Sequence, residues 1–185
     1  GYGIAKYDNP EELSVSDRNN IGYQYTDCPL YWISVIYLNF AEAKAEMGSL
    51  TQDDLNNSIN KLQARAGLPA MTTTPDADPA NNMGVSNLIW EIRRCRRCEL
   101  IMDNWYRYWD LIRWHQLDKL DSTKYPNTML GANVSNVPDC EEATKNGYID
   151  ASDAQIRTYE AKHYFYPIPT TQLTLNKNMK QNPGW

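Results

Sequence analysis

"WYRYWDLIRW", Trp105–Trp114, sets three tryptophans, two tyrosines, two arginines and one aspartate in one short run. Its reading decides the fold. On an exposed face these rings would stack sugars or bases; on a covered face they would form the interior. At about 100° per residue along a helix, Ile101, Trp105, Tyr108 and Ile112 fall in one narrow sector, with Met102 and Trp109 beside it. That spacing predicts a core face. Asp103, Arg107 and Asp110 fall on the far side as ladder neighbours, with Trp114 at the edge. Ile89, Ile92 and Leu100 lie outside the first sector, so the predicted helix is covered on more than one side. The arginines are then expected to pair with Glu91, Glu99, Asp103 and Asp110 rather than to face phosphates. Trp105, Arg107, Tyr108, Trp109, Asp110 and Arg113 are thereby read as structural.

Outward from this stretch the chain reads as mostly helical. Ser86 or Asn87 caps a long core helix predicted over 88–117. Upstream, "CPLYWISVIYLNFAEAKAEMG" and "SLTQDDLNNSINKLQARAGLP" read as two helices, stopped by Gly48 and by Gly67 with Pro69. Thr51 and Asp54 form a capping-box pattern, and Leu55, Ile59, Leu62 and Ala66 a narrow apolar stripe. So short a connection makes 30–66 a helical hairpin, the unit of tetratricopeptide-like arrays. Residues 1–29 form an extended lead-in, and 71–86 a loop. Residues 121–162 form a variable loop region with a short helix near 152–161, and 163–185 an irregular tail. A loop region of that length in a compact domain is usually functional.

Composition excludes several classes. The net charge of −5 disfavours a general nucleic-acid binder, although six of the nine arginines lie between Arg93 and Arg113. No apolar run reaches the roughly 20 residues of a membrane span. Cys95 and Cys98 have C-x-x-C spacing, but the only histidines are His115 and His163, too few for a matched zinc set. The pair also falls inside a helix rather than at a helix start, which argues against redox chemistry. Cys28 and Cys140 are left open as a disulfide. The adjacent acids Asp53–Asp54 and Glu141–Glu142 point apart, so no catalytic carboxylate pair is evident and the chain is read as no enzyme.

Taken in order, "AEAKAEMG", "INKLQARAGLP", "IRRCRRCEL", "RYWDLIRW", "YFYPIP" and "QNPGW" resemble the C-terminal part of the SusD/RagB family. The opening "GYGIAKYD" is similar as well. Three positions depart from the family pattern: Asn104 and Trp105 replace its Glu-Gly pair, "RRCRRC" blurs its E-R pair, and Gln172 replaces the acid after "PIP". The resemblance implies a mostly helical, non-enzymatic lipoprotein on the outer-membrane surface of Bacteroidetes-type bacteria. It implies capture of oligosaccharide, or of peptide in some members, as a lid over a SusC-like TonB-dependent transporter. Family proteins are far longer, so the N-terminal half of the same protein, with its lipid anchor, is an expected partner. That half would leave an exposed apolar patch here, and an interaction scaffold is the alternative function. The resemblance implies no cofactor, and calcium ordering the acidic loops stays open. Loop aromatics are the candidate sugar contacts: Tyr23, Tyr25, Tyr125 and Tyr148, each of which either stacks a ligand or packs under its own loop.

Overall fold

The computed structural model describes residues 6, 14–19, 30–103, 105–138, 144–152 and 155–185. The helices are α1 (Val15–Asn19), α2 (Ile33–Glu46), α3 (Gln52–Asn56), α4 (Ile59–Arg65), α5 (Asn87–Glu99), α6 (Tyr106–Arg113) and α7 (Thr170–Leu175). Three short strands, β1 (Leu130–Asn133), β2 (Thr144–Lys145) and β3 (Tyr148–Asp150), and three single 3-10 turns, Leu117–Leu120, Pro126–Met129 and Ala161–Tyr164, are the other regular elements among the described residues. The chain divides into two compact units, residues 22–107 and residues 108–185 with 1–21.

In the first unit α2 packs on both α4 and α5. Val35, Leu38 and Ala41 of α2 meet Leu55, Ile59 and Leu62, and Met71, Ile92 and Leu100 close the core. Full burial of a leucine such as Leu38 contributes about 1.5–3 kcal/mol. The predicted capping box is present: Asp54 N donates to Thr51 Oγ1 at 3.1 Å and Thr51 N to Asp54 Oδ2 at 2.9 Å. Lys44 Nζ also donates to Asp54, at 2.7 Å, tying α2 to α3.

The helix expected to run unbroken from Thr51 to Ala66 is two helices. Asn57 Nδ2 donates to Asp53 O at 2.9 Å and Ser58 Oγ to Asp54 O at 2.6 Å. Asn57 N still reaches Asp53 O, but Ser58 N turns to Leu55 O and the Ser58 hydroxyl takes the Asp54 carbonyl that a continuing helix would use, which is why Ser is a poor interior residue. The stop at Gly67 is as expected: with φ +67 there, Leu68 N reaches back to Gln63 O at 2.9 Å. Beyond it the chain is extended and pinned by Asn60, whose Oδ1 accepts from Met71 N at 2.7 Å. Asn60 Nδ2 and Gln52 Nε2 both donate to Met71 O, at 3.1 and 3.0 Å.

The long core helix 88–117 is also interrupted. Ser86 caps α5 through Ile89 N at 3.3 Å, but α5 ends at Glu99 and α6 starts only at Tyr106. Between them Met102 (φ +64) and Trp105 (φ +58) take left-handed backbone. Two such residues rotate the following helix off the projection drawn for a continuous one. Trp105, placed in the core by that projection, is 81% exposed, and Ile101 and Met102 are exposed as well. α6 buries Asp110 and Leu111 instead, with Trp114 just beyond its end. Arg94 of α5 pairs with Glu91, as expected, at 2.6 Å, whereas Arg93, buried, reaches acids of α2 instead, Glu42 at 3.3 Å and Glu46 at 3.0 Å.

α2 keeps a second apolar face. Ile33, Ile36, Phe40, Ala43 and Met47 are all exposed. Their spacing alternates between three and four residues, the pattern of a seam that seats another helix.

The second unit holds the antiparallel sheet, order β1-β3-β2, in the region expected to be loop. β2 and β3 form a hairpin around Asn146 (φ +53) and Gly147 (φ +79), with Lys145 opposite Tyr148. Asn-Gly is the strongest short hairpin signal, because both residues tolerate positive φ. The short helix expected near 152–161 is absent among the described residues there; 155–160 is irregular and a 3-10 turn follows at Ala161–Tyr164. In the tail Pro167 and Pro169 have no N–H to donate, and the Gln181 amide pairs with the residue between them. Ile168 N donates to Gln181 Oε1 at 2.7 Å and Gln181 Nε2 to Ile168 O at 2.9 Å. Asn182 Nδ2 donates to Tyr166 O at 2.7 Å, and Trp185 Nε1 to Phe165 O at 2.9 Å.

Candidate functional site

Two surfaces in the second unit offer ligand contacts. The first is aromatic. Tyr108 and Trp109, adjacent on α6, meet edge to face with centroids 5.5 Å apart, and the Tyr108 and Tyr166 hydroxyls lie 3.4 Å apart. Trp109 is 53% and Tyr166 68% exposed, so the sequence expectation of a covered Trp109 is corrected. Tyr108 itself is half-buried, and its contact with the Tyr166 hydroxyl pushes its own pKa upward. Below this patch Asp110 is buried and accepts from Arg113 Nε at 2.9 Å, while the Arg113 guanidinium lies 4.6 Å from the Trp114 ring centroid. The helix end is tied off at His115 (φ +53), where Gln116 N reaches Leu111 O at 2.8 Å. α6 therefore has a defined end and presents the Trp109 ring to solvent.

The second surface is a cavity of about 200 Å³ between the Asp121 turn, the Pro126–Met129 turn and the sheet. Its walls are set by Asp121, whose Oδ1 accepts from Thr123 N and Oγ1 and whose Oδ2 accepts from Tyr159 N at 3.1 Å. The Thr123 hydroxyl, opposed by desolvation and helped by these N–H groups, holds the Asp121 carboxyl below the usual carboxylate range. Ser122 N donates to Arg157 O at 2.9 Å and Arg157 N to Ser122 Oγ at 3.0 Å, closing the same wall.

Of the sequence candidates, Tyr125 and Tyr148 are described, and neither lines the cavity. Tyr23 and Tyr25 lie outside the described residues. Tyr125 is half-buried, with Lys119 Nζ donating to its hydroxyl at 2.8 Å and lying 4.5 Å from its ring centroid. Tyr148 sits on β3 with its ring exposed. The cavity contributors Lys145, Asp150 and Gln155 carry no motif that sequence reasoning would single out. The Trp109–Tyr166 patch was missed because it rests on the break at 102–105, for which Asp103-Asn104 was the available signal.

Both imidazoles have structural partners: His163 Nδ1 accepts from Glu160 N at 3.0 Å and His115 lies 5.0 Å from the Tyr164 ring. Cys95 and Cys98 are free thiols, and burial pushes Cys95 up to about 12, leaving it unreactive. Among the described residues no three His, Cys, Asp or Glu side chains form a metal set, and no helix is long and apolar enough to cross a membrane.

The helical unit carries a buried ion pair, and the second unit exposed rings and a partly polar cavity. The chain belongs to the SusD family, whose model matches residues 1–185, and proteins of that family are non-catalytic binding proteins. A solved SusD-like protein from Bacteroides fragilis NCTC 9343 is similar in structure, with a TM-score of 0.56 and 24% identity. The likeness covers 82% of this chain and 25% of that one, and at this identity it establishes the fold alone. No curated protein matches the chain.

Proposed function

We propose that this chain is the part of an outer-membrane surface lipoprotein that captures oligosaccharide for a SusC-like TonB-dependent transporter. Family membership supports the class. The observation that carries the ligand is the pair of exposed rings, Trp109 on α6 and Tyr166 in the tail, joined through Tyr108. Sugar rings present one apolar face and a rim of hydroxyls, which suits aromatic side chains with a polar tip. The exposed ring of Tyr148 is a further contact in this reading. Affinity electrophoresis of the full-length protein through a panel of polysaccharides tests it. At least one polysaccharide should retard the protein, and Trp109→Ala with Tyr166→Ala should weaken that retention about tenfold, or 1.4 kcal/mol. Retention by none, or retention unchanged in the variant, refutes the reading; peptide retention in its place would move the ligand class.

A second reading is favoured by the α2 seam. Ile33, Ile36, Phe40 and Met47 suit a helix supplied by another part of a longer protein or by the transporter. Under it the chain acts mainly as a scaffold. Paired cysteine substitutions at Ile36 and at candidate partner positions, followed by oxidation of the full-length protein, test this; no cross-link at any register removes it.

A further inference from the structure

The cavity beside β3 shares no residue with the aromatic patch. Its walls combine Pro126, Met129, Leu130 and Ile156 with hydroxyl, amide and charged groups. The hydroxyl hydrogens are already used. Thr123 Oγ1 donates to Asp121 Oδ1, Ser152 Oγ to Asp150 Oδ1 at 2.6 Å, and Ser122 Oγ to Arg157 O at 3.3 Å. These side chains therefore have lone pairs left to offer and no hydrogens. The reverse holds for Lys145 and Gln155. Neither side chain has a hydrogen-bond or ion-pair partner among the described residues, so an ammonium and an amide NH₂ stand available. Asp150, the one acid among the described wall residues, has Oδ1 occupied by Ser152 N at 3.0 Å and by the Ser152 hydroxyl.

A matching ligand needs an anionic acceptor for Lys145, hydroxyl donors for Thr123 and Ser152, and an apolar face for the Met129–Ile156 side. We propose that this cavity binds a single acidic sugar residue, a hexuronate whose carboxylate meets the Lys145 ammonium. The volume of about 200 Å³ lies below the roughly 300–1,000 Å³ typical of drug-sized ligands, which suits one ring rather than a chain. A charge-assisted hydrogen bond is about twice as strong as a neutral one, and Lys145 is the only cation among the described lining residues. The sugar scaffold rests on the reading of the chain as a glycan receptor; the charge preference rests on the cavity alone.

Titration calorimetry of the full-length protein with glucuronic and galacturonic acid, against glucose and galactose, tests the assignment. The acids should bind at least about tenfold more tightly than their neutral counterparts. Lys145→Met should erase that difference, as should raising salt from roughly 50 to 500 mM. Lys145 is exposed, so the variant should melt like the parent, which thermal unfolding verifies. Equal affinity for acid and neutral sugar, an acid preference kept in Lys145→Met, or no binding of either acid overturns the inference. Polysaccharide retention through Trp109 is insensitive to Lys145→Met, so failure here with retention intact sinks the cavity assignment alone.

Discussion

Arg93→Met is expected to destabilise the helical unit by about 3 kcal/mol. The Arg93 and Glu42 side chains are 8% and 5% exposed, and Nε lies 3.3 Å from Glu42 Oε1. Its Nη2 lies 3.0 Å from Glu46 Oε1, whose side chain is 50% exposed. Removing one member of a buried pair costs roughly 3–5 kcal/mol, because the remaining charge stays desolvated without its counter-charge. Methionine keeps an apolar stem, so little of the loss comes from packing. Glu46 is free to rehydrate, which places the cost at the lower end of that range. In a Glu42→Gln background the buried carboxylate is gone, and the same replacement should cost about 1 kcal/mol, the value of an ordinary hydrogen bond. Urea denaturation followed by circular dichroism measures both. The single variant should melt roughly 12–24 °C lower, taking about 4–8 °C per kcal/mol for a domain of 60–100 residues. A loss under about 1 kcal/mol, or equal costs in the two backgrounds, would refute the picture of a desolvated bridge between α2 and α5.

Three further outcomes follow from the same interactions. The Lys44 ammonium, with the Thr51 hydroxyl and N–H, lowers Asp54 to about 2 from 3.8, so the folded value lies below the unfolded one. Its contribution is present above about pH 4 and lost as pH falls toward 2; acid titrations of stability should be shallower in that window for Asp54→Asn than for the parent. Iodoacetamide near pH 8 should label Cys98 well before Cys95, whose thiol burial holds at about 12; mass spectrometry showing equal labelling would contradict it. Gln181→Ala removes both bonds to Ile168 and should cost about 1–2 kcal/mol, with faster hydrogen exchange at the Ile168 amide as the direct sign.

Local chemistry was legible in the sequence where a single motif determines it. The Thr51–Asp54 box, the Ser86 cap and the stop at Gly67 each depend on residues within one turn. Breaks were harder. Asn57-Ser58 and Asp103-Asn104 sit inside otherwise periodic patterns, and periodicity outvotes a pair of weak helix formers. The cost fell on the site, because a helix drawn straight through Met102 and Trp105 puts Trp105 and Trp109 inside, whereas the left-handed backbone there turns them out. The sheet carried a signal in Asn146-Gly147, but strands of two to four residues are too short for alternation to register. The cavity was beyond reach, since its walls come from three separated segments joined through Asp121 and Ser122.

The bracket formed by Gln181, Asn182 and Trp185 around residues 165–168 has a consequence for biosynthesis. The carbonyls of Ile168, Tyr166 and Phe165 meet their partners only once Gln181, Asn182 and Trp185, in that order, have been translated and have cleared the ribosome. Until then this segment, with two prolines that cannot donate to any neighbouring strand, remains open to proteases, while the arginine–glutamate clasp of the helical unit, encoded far upstream, can already have closed.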